Sequence, residues 1–265
     1  MKGIILAAGE GKRLRPFTDN NPKCLIPLEG KSILDRQIDT MRSCGIDDIV
    51  VIKGYRADQI TRQDVRFRVN PRYDTTNMVM TLWCAEKDLC GEVVVSYGDI
   101  VYNREVLEEL MKSPHDISVV ADMDWLPYWT MRFSDPLSDA EAFKMDADGR
   151  IMVIGQKPEK IEDIEAGYIG LNKFSNTGLD IFKRSFVHAQ RVFENNGKAW
   201  GAPRAFEKAY MTDMLQGLIN EGNELHAVRI HGGWLEIDSY SDYELAGKLF
   251  TNGRVRAIRK GAGNA

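Results

Sequence analysis

Apolar runs rich in β-branched residues, "GIILAA", "DIVVIKG", "EVVVSYGD" and "DISVVADM", alternate with stretches of helical spacing through the first half of the chain. No other feature restricts the fold as much. Near-continuous apolar runs of this length belong to strands buried on both faces, and strands that recur with helices between them pair in parallel. The intervening "SILDRQIDTMRSCG" places Ile33, Leu34, Ile38 and Met41 near one helical face with Gly45 just beyond its end, while "MVMTLWCAEKDL" and "REVLEELMK" are also helical in spacing. "YRADQI" reads as a short helix, and "VRFRVN" alternates as an edge strand does. The expectation is an α/β fold, a mainly parallel sheet with helices on both faces and right-handed crossovers.

The second half changes character without a Pro- or Ser-rich linker. "EAFKMDADGRIMVIGQKP" predicts a hairpin turning at Asp146 to Gly149, "AGYIGLNKFS" is a further strand, and "LHAVRIHGGWLEIDS" reads as two strands separated by a Gly-Gly turn before a final helix from about Tyr240. This half is expected to extend the same sheet and build a platform beside it. A chain of 265 residues, 43% hydrophobic and 28% charged, has ample material for a core. A net charge of −4 argues against a footprint along nucleic acid. No apolar run approaches the roughly 18 to 20 residues that cross a bilayer, and the N-terminus lacks the order of a signal peptide, so the chain reads as cytoplasmic. Cys24, Cys44, Cys84 and Cys90 show no CxxC pairing, which points to reduced thiols rather than a disulfide framework or a zinc site.

The loop that follows the first strand is the chemical centre of the sequence. In an open parallel sheet the ligand crevice lies at the carboxyl ends of the strands, and the stretch starting at Ala8 leaves such an end. Gly9 and Gly11 permit positive φ and close backbone approach, so N–H groups can converge on phosphate oxygens while Lys12, Arg13, Arg15 and Lys23 bring positive charge. The spacing matches neither the GxxxxGK[ST] loop nor the GxGxxG dinucleotide fingerprint.

"LAAGEGKRLRPFT" followed by "NPKCLIP" resembles the nucleotidyltransferase family of sugar-nucleotide pyrophosphorylases and phosphocholine or aminoethylphosphonate cytidylyltransferases, with the glycines, arginine, proline, threonine and final Pro-Lys in place from Leu6 to Lys23. The resemblance implies a Rossmann-like nucleotidyltransferase fold with a partly antiparallel acceptor half. One domain is expected over 1–255, with a nucleotide-binding half at about 1–122, an acceptor-binding half at about 123–255, and a disordered tail at 256–265. It further implies that Leu6, Ala7, Ala8, Gly9, Gly11, Lys12 and Gly98 meet the nucleotide, that Arg13 holds the leaving pyrophosphate, and that Lys23 stabilises charge at the phosphoryl group under attack. Phosphoryl transfer asks for positioning and electrostatic stabilisation more than for covalent chemistry, and these residue types suit it.

Several phosphate charges brought together call for Mg²⁺, held by carboxylates. Asp99 ends "EVVVSYGD" and Asp238 ends "WLEID"; both match acidic positions of the family, and Glu236 on the same strand face as Asp238 is a further candidate. Taken singly, an Asp at a strand end equally serves as a helix N-cap or turn residue. "TTNMVMTL" is similar to the base-reading turn of phosphocholine cytidylyltransferases, which implies CTP with Asn77 and Thr81 near the base, although either residue could simply cap a helix. "GQKP" keeps a phosphate-binding lysine, Lys157, but puts Gln156 where sugar-nucleotide enzymes carry a glutamate. In "DMDWLPYWTMRFSDPLSDAEAF", Trp125, Tyr128, Trp129 and Phe133 crowd beside Asp122, Asp124, Asp135, Asp139 and Glu141, a mixture that suits an ammonium group unless the aromatics belong to the core. Arg132 adds a partner for a carboxylate or phosphate. The expected reaction joins CTP to a small amino-bearing phosphate or phosphonate. A sugar-1-phosphate nucleotidyltransferase using UTP, dTTP or GTP and a non-catalytic nucleotide-binding protein remain alternatives, and a homodimer is left open.

Overall fold

The computed structural model describes residues 1–196 and 198–251; the expected tail at 256–265 lies outside the described residues. Strand β1 (Lys2–Ala7) leads through the glycine loop to a small hairpin, β2 (Pro27–Leu28) and β3 (Lys31–Ser32), and then to α1 (Ile33–Ser43). There follow β4 (Asp48–Lys53), β5 (Arg66–Val69), α2 (Met78–Trp83), β6 (Val93–Tyr97), β7 (Ile100–Tyr102), α3 (Arg104–Lys112) and β8 (Ile117–Asp122). The second half contains α4 (Trp125–Arg132), β9 (Phe143–Met145), β10 (Ile151–Ile154), β11 (Gly167–Phe174), α5 (Asn176–Asn196), α6 (Met211–Asn220), β12 (His226–Ile230), β13 (Trp234–Glu236) and α7 (Tyr240–Thr251).

The main sheet has seven strands in the order β12-β8-β11-β6-β1-β4-β5. Strand β1 pairs in parallel with both β4 and β6, Ile4 lying opposite Val50 on one side and Val95 on the other. Strand β11 is antiparallel to β6 and β8, so the sheet is mixed but mainly parallel. Period-two alternation divides β1 between two cores. Ile5 and Ala7 pack with Ile33, Ile38 and Met41 of α1 and Leu107 of α3, whereas Ile4 and Leu6 pack with Val79 of α2, Phe182 of α5 and Leu215 of α6. The helices start where their caps allow: Ser32 Oγ accepts from Asp35 N at 3.0 Å at the start of α1, and Asn103 Oδ1 accepts from Val106 N at 3.0 Å at the start of α3.

The two strands around the Gly-Gly pair do not form a hairpin with one another. Strand β12 joins the main sheet beside β8, while β13 crosses to pair antiparallel with β7. Asp122 directs this departure, because its buried carboxylate accepts from Gly232 N at 2.9 Å and from Trp234 Nε1 at 2.8 Å. The consequence is functional. Ile237 N donates to Asp99 O at 3.0 Å, which carries the residues after β13 to the end of β6. Among the described residues, no helix is long and apolar enough to cross a membrane.

Candidate active site

The glycine loop is held closed by its own backbone. Gly11 adopts φ +68°, in the left-handed region where a side chain is strained, and a Cβ added there would come within 2.9 Å of Lys23 Cβ. Its carbonyl accepts from Leu14 N at 2.9 Å and from Thr18 Oγ1 at 2.8 Å, which folds the loop back over Lys23. Gly9 does not use positive φ, contrary to the sequence expectation; an added Cβ there would meet nothing within 4 Å, so its missing side chain leaves open space beside β1. Gly98 works by close approach, since an added Cβ would lie 2.5 Å from Leu6 O and 3.0 Å from Ala7 Cα.

Lys23 is buried, and its Nζ lies 2.8 Å from Asp99 Oδ2 while also donating to Asp238 Oδ1. Burial alone would lower its pKa, but the two carboxylates outweigh that and hold it above the ordinary lysine value, so the charge is permanent near neutral pH. Arg13, mostly exposed, donates from Nη2 to Asp238 Oδ2 and places Nη1 4.0 Å from Asp139. Burial pushes the Asp238 carboxyl up, yet Lys23 and Arg13 more than reverse this, and its pKa is lowered. Lys12 is exposed and pairs at 3.4 Å with Glu10, which also binds Arg15 at 2.6 Å.

Asp99, Glu236 and Asp238 present carboxylate oxygens that all lie within 4.8 Å of one another. Asp99 Oδ1 is buried without a hydrogen-bond partner among the described residues, a costly state unless another ligand completes it. Hard oxygen donors at this separation, one of them unsatisfied, fit a divalent cation. Glu236 has a second neighbour that sequence reasoning assigned elsewhere. Arg132 was expected to bind the acceptor, but its side chain is fully buried and donates to Glu236 Oε2 at 2.5 Å and from Nε to Asp242 Oδ1 at 2.9 Å. Its charge is consumed by two carboxylates, so it braces the acidic cluster.

Two cavities flank this cluster. The smaller, of about 140 Å³, is bounded by Leu6, Ala8, Gly9, Gly98 and Asp99 together with Asn77 and Thr81. Asn77 caps α2 through Oδ1 to its neighbour Met78 N at 2.9 Å. Thr81 is buried and accepts from Asn70 Nδ2 at 2.9 Å. Asn70 also donates to Thr76 Oγ1 at 2.9 Å, and this organiser of the pocket wall carried no signal in the sequence beyond its place in an Asn-Pro pair. The larger cavity, of about 250 Å³, is lined by Arg13, Trp125, Trp129, Glu141, Glu236 and Asp238, among others. Met78 and Tyr97 line both cavities. The acidic cluster therefore stands where the two spaces meet.

The remaining acceptor expectations need correction. Tyr128 is buried, and its hydroxyl is spent on Glu236, accepting from the backbone N at 2.9 Å and facing the backbone O at 3.2 Å. Lys157 is exposed and lines neither cavity, lying beyond the last bond of the β9–β10 hairpin, Ala142 N to Gln156 O at 2.7 Å. Trp125 and Trp129 do reach the larger cavity, from α4 and mostly as core, their rings 6.2 Å apart at 72°.

A strand-end glycine loop, a buried lysine between two carboxylates, and two adjoining cavities make up one site. Residues 3–156 match the family model described as the MobA-like NTP transferase domain. The chain belongs to that family. It is a nucleotidyltransferase, and its relatives include cytidylyltransferases. It is 38% identical over 258 residues to the CTP:phosphoglutamine cytidylyltransferase of Campylobacter jejuni, covering 92% of this chain and 98% of that protein. It is 30% identical over 156 residues to the choline-phosphate cytidylyltransferase of Streptococcus pneumoniae, 57% of this chain and 67% of that one. The solved CTP:phosphocholine cytidylyltransferase from Streptococcus pneumoniae superposes with a TM-score of 0.68 at 22% identity, over 94% of this chain and 98% of that one, which speaks for the shared fold. The expected nucleotidyltransferase fold is thus the observed one.

Proposed function

We propose that the chain transfers a cytidylyl group from CTP to a small amino-bearing phosphate or phosphonate, with Mg²⁺ as the cation. The observation that carries this reading is the position of Lys23, Asp99 and Asp238 at the junction of the two cavities. The smaller cavity takes the nucleoside, with Asn77 and Thr81 in its wall, and the larger one takes the acceptor. CTP is favoured over other nucleotides because relatives covering this chain at 38% and 30% identity are named as cytidylyltransferases. Their named acceptors, phosphoglutamine and choline phosphate, both combine a phosphate with nitrogen.

An acceptor phosphate oxygen attacks the α-phosphorus, the bond from that phosphorus to the bridging oxygen breaks, and pyrophosphate leaves. No general base is required, because a phosphate with a second pKa near 6 is already largely ionised at neutral pH. Lys23, held charged, stabilises the negative oxygens as the attack develops, and Arg13, on an exposed side chain able to swing from Asp238, follows the departing pyrophosphate. Backbone N–H groups of the loop around Gly9 and Gly11 complete the cradle. A divalent cation held by Asp99 and Asp238, with Glu236 beside them, supplies neutralisation of the gathered phosphate charge when bound.

The test is pyrophosphate release by the purified protein with Mg²⁺, crossing CTP, UTP, dTTP, GTP and ATP with phosphoglutamine, phosphocholine, phosphoethanolamine, aminoethylphosphonate, phosphoserine and sugar-1-phosphates. Release confined to CTP with nitrogen-bearing acceptors is expected. Release confined to a sugar-1-phosphate would overturn the acceptor assignment, and nucleotide binding without release under any combination would overturn turnover altogether.

A further inference from the structure

An acceptor with a cationic nitrogen needs a counter-charge, and the aromatic cluster that suggested one in the sequence is not free to supply it. The guanidinium of Arg132 already lies 5.0 Å from the ring centroid of Trp129 and 5.4 Å from that of Tyr128, so the cation over these rings is the protein's own. Trp125 spends its indole N–H on Ile164 O at 3.2 Å. What the larger cavity does offer is Glu141. Its Oε1 accepts from the hydroxyl of Thr212 at 3.2 Å. Thr212 is itself buried and fixed against Gly155, where an added Cβ would fall 2.4 Å from Thr212 Cβ and 2.7 Å from its hydroxyl. Nearby cations are committed elsewhere. Arg204 lies 2.5 Å from Asp213 and 3.8 Å from the ring centroid of Tyr210, and Arg132 is bound by Glu236 and Asp242. A carboxylate facing a cavity, anchored by one neutral hydroxyl and lacking an ion-pair partner among the described residues, has capacity for a donor from a ligand.

We propose that Glu141 is the specificity-determining residue of the acceptor cavity, its carboxylate reading an N–H-bearing cationic nitrogen, so that the enzyme favours primary ammonium acceptors over a quaternary ammonium. This rests on the cytidylyl-transfer reading above. A trimethylated nitrogen has charge but no N–H to give, and over the Trp129 and Tyr128 rings the cation is already Arg132. Burial pushes the Glu141 carboxyl up to about 7, against the hydrogen bond from Thr212 and the charge of Arg204, while Asp213 and Asp139 add to the rise; Tyr97 and Tyr168 face the same space from the sheet. The ionised form that receives the ammonium is therefore depleted below neutral pH, and the acceptor KM should rise as pH falls through 7.

The experiment measures kcat and KM for phosphoethanolamine and its mono-, di- and trimethylated homologues, the last being phosphocholine, with wild type, Glu141→Gln and Glu141→Asp. Wild type should lose at least 10-fold in kcat/KM across the methylation series. Glu141→Gln should raise the phosphoethanolamine KM about 10- to 100-fold, the weight of one charge-assisted hydrogen bond, with kcat within a few fold and the CTP KM unchanged, and it should flatten both the methylation series and the pH dependence of KM. Glu141→Asp should keep the preference for N–H at reduced affinity, and an unchanged CTP KM shows that either variant is folded. Equal use of phosphoethanolamine and phosphocholine by wild type, or a Glu141→Gln variant with unaltered acceptor KM, would overturn the assignment while leaving cytidylyl transfer intact. So would silence on this series alongside turnover of another acceptor from the panel above. Silence with every acceptor would overturn both readings together.

Discussion

Replacing Lys23 with methionine removes one charge while keeping most of the side chain and its packing near Gly11, and the structure sets what that should cost. Lys23 Nζ is bonded to both Asp99 and Asp238, its side chain only 10% exposed. Without it, Asp99 and Asp238 face each other and Glu236, with Arg13 on Asp238 and Arg132 on Glu236 to offset them. Removing one partner of a buried ion pair costs about 3–5 kcal/mol. At about 2–4 °C per kcal/mol for a chain of this size, the melting temperature measured in chelator should fall by roughly 6–20 °C. Mg²⁺ should then restore more stability to the variant than to wild type, since the ion no longer competes with a lysine for the same oxygens; occupancy at 100 times the dissociation constant contributes about 2.7 kcal/mol. Turnover should still fall about 10²- to 10³-fold, the usual loss when one stabiliser of transition-state charge is deleted. Melting curves with EDTA and with Mg²⁺, beside pyrophosphate release at saturating CTP, decide the matter. Wild-type turnover would refute the placement of Lys23 at the reacting phosphate. A melting deficit that Mg²⁺ leaves untouched would refute the claim that the three carboxylates share one cation.

Asp99→Asn should lower turnover by at least 100-fold and weaken Mg²⁺ binding seen by calorimetry; unchanged binding would move the cation away from Asp99. Arg132→Met should destabilise the fold by about 3–5 kcal/mol, because Glu236 and Asp242 lose their shared partner, and a normal melting temperature combined with a raised acceptor KM would instead mean that Arg132 does contact the acceptor. Gly98→Ala should cost about 1–3 kcal/mol and raise the CTP KM, since the added methyl meets the backbone of Leu6 and Ala7; near-native behaviour would show that β1 and β6 can part there. Between its ordinary value of 4.5 and about 7, folded Glu141 keeps a proton that the unfolded chain releases, so its contribution makes stability fall as pH rises through that window. Glu141→Gln should therefore melt higher than wild type at pH 8 and nearly equally at pH 4.5, and an equal difference at both values would contradict the shift.

What was legible in the sequence was whatever repeats along the chain. The apolar runs and their helical spacers announced the parallel sheet because burial on both faces leaves no room for alternation, and β1 shows this directly, with Ile4 and Ile5 in opposite cores. Lys23, Asp99 and Asp238 were singled out by the family resemblance, and the structure brings their side chains together. The larger cavity was harder to read because its walls are assembled across the sheet. Glu141 meets Thr212 across 71 positions, and nothing in "SDPLSDAEAF" separates it from Asp139 or Asp135. Arg132 misled for the same reason: from the sequence it neighbours tryptophans, whereas its energy comes from Glu236 and Asp242, more than 100 positions away. Such residues answer to neighbours that only the completed fold brings near. The glycine loop is local and can be recognised by pattern, but the cavity that holds Glu141 is tertiary, so relatives that share the loop can diverge in that cavity through residues no local pattern marks.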